Sequence, residues 1–199
     1  MKSYFKRLYQ IISNRILKIV IPIVKYINNL KIKILISNGL DIGENTFIGN
    51  NVNIDPVFPW LISIGSNCFL TNGVTILVHD SSLENHLGYG KVGKVSIGNN
   101  TFVGVKSIIL PGVKIGENVI IGAGSVVTTE IPKDCVAVGN PARVICSTFE
   151  YSEKHQKNME LRPIYESCCT LNDLDPSVKQ IMKEELQNGL GYFKVPLQK

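Results

Sequence analysis

Apolar positions recur every six residues through the middle of this chain. Between Ser96 and Pro132 an aliphatic residue opens each hexad, at Ile97, Val103, Ile109, Ile115, Ile121 and Val127. Glycine follows several of them, at Gly98, Gly104, Gly116 and Gly122. A small or branched residue stands four places after the opener, at Thr101, Ser107, Val113, Val119 and Ser125. The same register holds at Ile36, Ile42, Ile48 and Ile54, and again at Ile64, Leu70 and Ile76. Neither a helical period of about 3.6 nor simple strand alternation produces six. A unit this short cannot bury its own apolar side, so copies must stack. Three hexads make one triangular coil, with the opener and the small residue turned inward and parallel strands of successive coils forming ladders. The 13 openers predict about four to five coils.

The pattern breaks twice. Ten residues separate Ile54 from Ile64, one hexad plus four, so Asp55–Ser63 (DPVFPWLIS) bulges at a corner and carries Pro56, Pro59 and Trp60. His79–Lys94 (HDSSLENHLGYGKVGK) is 16 residues without periodicity. A segment that long, extruded from a regular scaffold, is usually functional. Outside the repeat the period changes. Residues 1–29 place apolar residues at helical spacing with lysine and arginine opposite, and Pro22 is expected to end or kink that helix. The repeat domain is expected over 30–146, with its loop at 79–94, closing on a short strand and turn at Lys133–Ile145. A helical extension follows over 147–199. In it, Glu150–Glu160 is charged and helical, and Asp175–Gly189 has an N-cap in Asp175, Pro176 in its first turn and Gly189 as a stop. Val178, Ile181, Met182 and Leu186 form the apolar face of that second helix.

Composition changes the picture mainly at the N-terminus. The chain is 44% hydrophobic and 19% charged, hence globular. Its net charge of +5 is uneven: residues 1–40 hold eight basic residues and no acidic one, while the remainder is acidic on balance. A nucleic-acid role for the body is therefore disfavoured. The basic segment reads either as a helix packed on the body or a neighbouring subunit, or as one lying on an anionic leaflet. The uncharged run Ile19–Val24 is too short for the roughly 20 residues of a span, and no signal-peptide pattern is present. Five cysteines, Cys68, Cys135, Cys146, Cys168 and Cys169, lack CxxC spacing and read as reduced thiols of a cytosolic protein, with no metal site. Cys68 falls at a small inward position, as a buried hydrophobe.

Chemistry must come from what departs from the repeat. Of three histidines, His79, His86 and His155, only His79 ends a repeat strand and opens the extruded loop. A histidine held there suits general-base work near neutral pH. Asp80 is a candidate to orient it, although adjacent strand residues point to opposite sides; Glu84 and His86 rank behind. Asn50, Asn51, Asn53, Asn72 and Trp60 precede His79 and could meet an acceptor, or could simply serve turns and, for Trp60, pack under its own loop.

The hexads, the ending GAGSVVTTEIP and the closing GNPARVI resemble the hexapeptide-repeat acyltransferases, over about residues 36–146. Within these, LISIGSN and GVTILVHDSS followed by a loop are similar to sugar O-acetyltransferases of capsule and lipopolysaccharide clusters. The resemblance implies an all-β domain, a left-handed parallel β-helix with N- and C-terminal helical extensions. It implies direct transfer from acetyl-CoA to a sugar hydroxyl of a surface polysaccharide or its precursor, with His79 as base and no acyl-enzyme. Gly104, Ala123 and Thr128 would line the pantetheine arm and Arg143 would meet a phosphate. Phe102 stands where many relatives have tryptophan, and Thr129 where they often have lysine; Lys133 is a neighbouring substitute. The family's acceptor-binding asparagine has no clean counterpart here, because the spacing around Asp55–Ser63 differs; Asn51, Asn53, Trp60 and Asn72, in the coils before His79, are the acceptor-facing candidates from position alone. Relatives assemble as homotrimers with sites between subunits. The cysteines lead us to expect a cytoplasmic protein, and the basic charge of residues 1–29 would place that segment at the inner leaflet. Transfer to another small acceptor, a zinc hydratase and a non-catalytic scaffold are the alternatives.

Overall fold

The computed structural model describes residues 20, 22–24, 26–166 and 175–195. The chain divides into two compact units, Met1–Thr148 and Phe149–Lys199. The first described element of unit one is a helix, α1, helical at 20, 22–24 and 26–37. Of the two outcomes expected at Pro22, an end or a kink, the end does not occur, and one hexad opener is reassigned. Ile36 is helical and 48% exposed rather than a hexad opener. Its distance from Ile42 is a coincidence of six. The local spacing of Ile32 and Leu35, which pack on the core, is helical and wins.

The coils begin after Gly39. The first is β1 (Asp41–Ile42), β2 (Phe47–Ile48) and β3 (Asn53–Ile54); the second is β4 (Ile62–Ile64), β5 (Phe69–Leu70) and β6 (Thr75–Ile76). The extruded loop then forms a ribbon of β7 (His79–Asp80) and β8 (Lys91–Val92), paired antiparallel around the short helix α2 (Glu84–Leu87). The third coil is β9 (Val95–Ile97), β10 (Phe102–Val103) and β11 (Ile108–Ile109); the fourth is β12 (Lys114–Ile115), β13 (Ile120–Ile121) and β14 (Val126–Val127). A hairpin of β15 (Cys135–Gly139) and β16 (Ala142–Ser147) closes the stack, turning at the cis Asn140–Pro141 bond.

Three parallel faces result. The first stacks β1-β4-β9-β12, the second β15-β13-β10-β5-β2 with β16 at its edge, and the third β14-β11-β6-β3. Openers pair with openers, as in Ile54↔Ile76 and Ile109↔Val127. The openers from Ile54 to Val127 are at most 3% exposed, and the small positions Thr101, Ser107, Val113, Val119 and Ser125 at most 2%. Removing one such isoleucine or leucine from water contributes roughly 1.5–3 kcal/mol, so the rhythm itself is the core. Cys68 is fully buried, as its place in the hexad requires. Corners are tight. A Cβ on Gly98 would meet the Glu117 amide nitrogen at 2.6 Å, a distance no side chain tolerates. Outward positions differ by face: Asp41, Ser63, Ser96 and Lys114 on the first, but Phe47, Phe69, Phe102 and Ile120 in register on the second.

The second unit contains most of α3 (Thr148–Met159), then β17 (Ile164–Tyr165), α4 (Pro176–Glu185) and β18 (Tyr192–Phe193), with β17 and β18 parallel. Asp175 caps α4 by accepting from the Ser177 amide at 2.8 Å. His155 belongs to this unit, where its Nδ1 lies 3.0 Å from the Tyr192 hydroxyl. Cys168 and Cys169 lie outside the described residues; Cys68, Cys135 and Cys146 are free thiols.

Candidate active site

Both breaks in the repeat open at the same edge of the prism. Asp55–Ser63 leaves the third face after β3, and the ribbon leaves it one coil later, after β6. Because β3 and β6 are in register, the residues that follow them meet. The Asp55 amide donates to the Ile76 carbonyl at 3.0 Å, continuing the ladder by one residue, and its side chain then turns inward. Asp55 is only 1% exposed. Its Oδ1 accepts the Val57 amide at 3.0 Å, and its Oδ2 accepts the Val78 amide at 3.0 Å. That same Oδ2 is 2.5 Å from His79 Nδ1.

Burial by itself would push the Asp55 carboxyl up. The Val78 and Val57 amides and His79 outweigh it and hold the group below its ordinary value. A buried carboxylate on Nδ1 fixes the imidazole tautomer: Nδ1 carries the proton and donates, so Nε2 is the basic nitrogen. The His79 side chain remains 35% exposed, so this nitrogen is within reach of a substrate. Phe58 adds an aromatic wall, edge-on to His79 with ring centroids 5.7 Å apart. Trp60 stands edge-on to Phe58, also at 5.7 Å, and is 58% exposed. The 55–63 excursion thus supplies both the acid and the aromatic side of the site.

Asp80 does not orient His79. It pairs with Lys91 at 2.6 Å across the ribbon, and that lysine, helped by the Ser82 amide, holds its carboxyl down at about 2. The reason is strand alternation: neighbours His79 and Asp80 point to opposite sides. Glu84 and His86 sit on α2, exposed. Asp55 is the residue sequence reasoning missed. Its signal was register arithmetic, since Ile54 stacks on Ile76 and so brings 55 beside 77–79.

Most of the remaining candidates fall on two edges; Arg143, Lys133 and Asn53 do not. Gly104 and Ala123 follow β10 and β13 at the edge between the second and third faces. They lie so close that a Cβ on Gly104 would be 2.4 Å from the Ala123 nitrogen. Phe102 lies just before this edge, exposed on the second face. Thr128 and Thr129 follow β14, on the edge that carries His79 two coils away. Arg143 is exposed on β16 and donates to the Ala142 carbonyl at 2.8 Å. Lys133 reaches Asp134 at 4.0 Å. Asn51 and Asn72 belong to the Gly104 edge and serve corners there: Asn51 has a φ of 56°, and Asn72 Oδ1 accepts the Asn50 amide at 2.8 Å. Asn53 points outward on the third face beside Thr75. One chain therefore gathers Asp55, Phe58, Trp60, His79, Thr128 and Thr129 on one edge, and Phe102, Gly104, Ala123, Asn51 and Asn72 at another. Among the described residues no group of three or more His, Cys, Asp or Glu converges as a metal site.

A stacked-hexad prism with a histidine–carboxylate pair at its broken edge defines a class, and comparison with known proteins specifies it. Residues 94–129 match the family model described as bacterial transferase hexapeptide (six repeats), and residues 39–77 match the hexapeptide repeat of succinyl-transferase. The protein YvoF of Bacillus subtilis (strain 168), whose acetyltransferase name is itself provisional, is 34% identical over 61% of this chain and 68% of its own. Galactoside O-acetyltransferase of Escherichia coli (strain K12) is 39% identical over 52% of this chain and 54% of its own, so the chain spans about half of that relative. A solved hexapeptide-repeat acetyltransferase of Vibrio cholerae superposes with a TM-score of 0.51 at 28% identity, covering 55% of this chain and 62% of that one. The chain belongs to the hexapeptide-repeat acetyltransferases, and its prism is their left-handed parallel β-helix.

Proposed function

We propose that this chain transfers an acetyl group from acetyl-CoA to a hydroxyl of a carbohydrate, with His79 as the general base and Asp55 as the residue that orients it. The observation that carries the reading is the buried Asp55 carboxylate on His79 Nδ1. His79 Nε2 takes the acceptor hydroxyl proton as the oxygen attacks the thioester carbonyl. Asp55 stabilises the imidazolium that forms. Backbone N–H groups at the corners stabilise the tetrahedral oxyanion. His79 then returns its proton to the departing thiolate, leaving an ester and free CoA. Cys68 and Cys135 are disfavoured as nucleophiles, because burial pushes both thiols up.

The carbohydrate acceptor is supported by Trp60, an exposed indole two aromatic contacts from the base and suited to stack on a pyranose ring. A surface polysaccharide or its precursor is the acceptor that the LISIGSN and GVTILVHDSS segments favour. The two-edge distribution supports a homotrimer. A pantetheine arm running along one edge meets either Thr128 and Thr129 or Gly104 and Ala123. Both sets contact it only if the His79 edge of one copy faces the Gly104 edge of the next, which also brings Asn51 and Asn72 toward the acceptor. CoA release with a panel of saccharides, wild type beside His79→Ala, tests the reading. Equal turnover by the two proteins overturns His79 as base, and a monomer in sedimentation velocity overturns the shared site.

A further inference from the structure

Helix α1 has an apolar side that the coils do not use. Asn28, Ile32 and Leu35 face the body: Leu35 is 3% exposed, Ile32 packs on the core, and Asn28 reaches Asn50 at 3.4 Å. At about 3.6 residues per turn, the opposite side carries Ile23, Tyr26, Ile27, Leu30 and Ile34. These are 52, 69, 57, 46 and 51% exposed, an inversion of the usual amphipathic arrangement. Lys31 and Lys33 border the stripe, one on each side. One border of the stripe, at Tyr26, Leu30 and Lys33, also lines an open groove of about 860 Å³ with Val20, Val24 and Phe47, so the apolar surface continues toward the first coil.

Two occupants fit an apolar stripe spaced in this way, a second copy through a helical seam or a lipid surface. Charge decides between them. Residues 1–40 hold eight basic residues and no acidic one. A seam between copies would set lysine beside lysine with no carboxylate from this segment to pair them. An anionic bilayer supplies the missing charge to every lysine at once. Among the described residues no helix is long and apolar enough to cross a membrane.

We infer that α1 docks the protein on anionic lipid, with Ile23, Ile27, Leu30 and Ile34 entering the headgroup–acyl boundary and Lys31 and Lys33 meeting the phosphates. This holds whatever the acceptor is. The test is flotation of the full chain with vesicles of phosphatidylcholine containing about 30% phosphatidylglycerol, against phosphatidylcholine alone. Wild type is expected to float with the anionic vesicles only, and to release as salt rises from about 50 to about 500 mM. Lys31→Gln and Lys33→Gln should each weaken binding about fivefold. Ile27→Asn/Leu30→Asn should abolish it with an unchanged melting temperature. Should that variant melt early, Ile27→Ala/Leu30→Ala keeps the helix and should weaken binding at least about tenfold. Absence of flotation, equal flotation with neutral vesicles, or full binding by the apolar variants overturns the proposal. A smaller assembly on Ile27→Ala/Leu30→Ala does so too, because the stripe would then join copies.

Discussion

Replacing Asp55 by asparagine keeps the volume of the side chain and removes only its charge and one acceptor. The carboxylate receives three donors: Val57 N–H on Oδ1, and Val78 N–H and His79 Nδ1–H on Oδ2. An amide has one oxygen. Placing it at the Oδ1 position turns the NH₂ toward two donors; placing it at Oδ2 sets the NH₂ against the Val57 amide alone. The second arrangement costs less. Its stability penalty is one opposed donor, about 1–3 kcal/mol, at the low end because Val57 is half exposed and water can reach it. The catalytic penalty is larger in consequence. A hydrogen bond to a charged partner contributes about 1–2 kcal/mol more than one to a neutral amide, roughly a five- to thirtyfold effect on a step that creates an imidazolium. The lost Coulomb attraction, about 4 kcal/mol at 4 Å and an effective dielectric constant near 20, bounds the total near 10³-fold. We expect Asp55→Asn to lower kcat about 10²-fold with KM for acetyl-CoA unchanged, read by thiol titration of released CoA. A folded variant with kcat within about threefold of wild type, or a loss confined to KM, would refute the pairing as the source of orientation.

Other outcomes follow from the same geometry. Trp60→Ala should raise KM for a saccharide acceptor about tenfold while leaving acetyl-CoA hydrolysis in its absence unchanged; an unchanged acceptor KM removes the indole from the site. Gly104→Ala places a Cβ 2.4 Å from the Ala123 nitrogen, and should cost about 1–3 kcal/mol, several degrees of melting temperature. A variant that melts with wild type would show that the corner can open. Acid stability follows the Asp55 carboxyl, held below its ordinary value of 3.8 in the folded chain. Between the folded and ordinary values the unfolded chain binds more protons, so its contribution is complete above pH 3.8 and fades as pH falls below it. Urea midpoints of Asp55→Asn should therefore fall less steeply below pH 3.8 than those of wild type, and parallel curves would contradict the shift.

The coils were legible because one rule governs them. Each opener from Ile54 onward is buried, and each small position accepts the next corner, so a period read from letters became a core. The rule failed where a second periodicity overlapped it. Ile36 has the right distance to Ile42, but Ile32 and Leu35 hold the backbone in a helix, and six is too short a span to separate the two patterns at a boundary. The site was half legible. His79 announces itself as a histidine where the rhythm stops. Asp55 carries no such mark, because within the bulge DPVFPWLIS an aspartate before proline reads as turn chemistry. Asp80, adjacent in sequence, was the natural candidate and faces the other way.

That failure has a physical reason in the hexad itself. Its inward positions are apolar or small, and its outward positions are solvated, so an uninterrupted coil has no place for a buried charge. A carboxylate that is to stay ionised at 1% exposure needs several N–H donors, and the ladders already use the amides of regular strands. Donors become free only where the chain leaves the ladder. Val57 sits just past Pro56 in the first excursion, and Val78 is the last residue before the second. Two interruptions in successive coils, opening at one edge, are therefore the condition for the acid–histidine pair. The four extra residues between Ile54 and Ile64 are where that condition is written. Shortening the bulge to restore the hexad should leave the prism stacked and remove the orientation of His79. A variant so shortened that still melts cooperatively, yet loses turnover to the level of His79→Ala, would separate the two functions of the segment; retained turnover would refute this account of the edge.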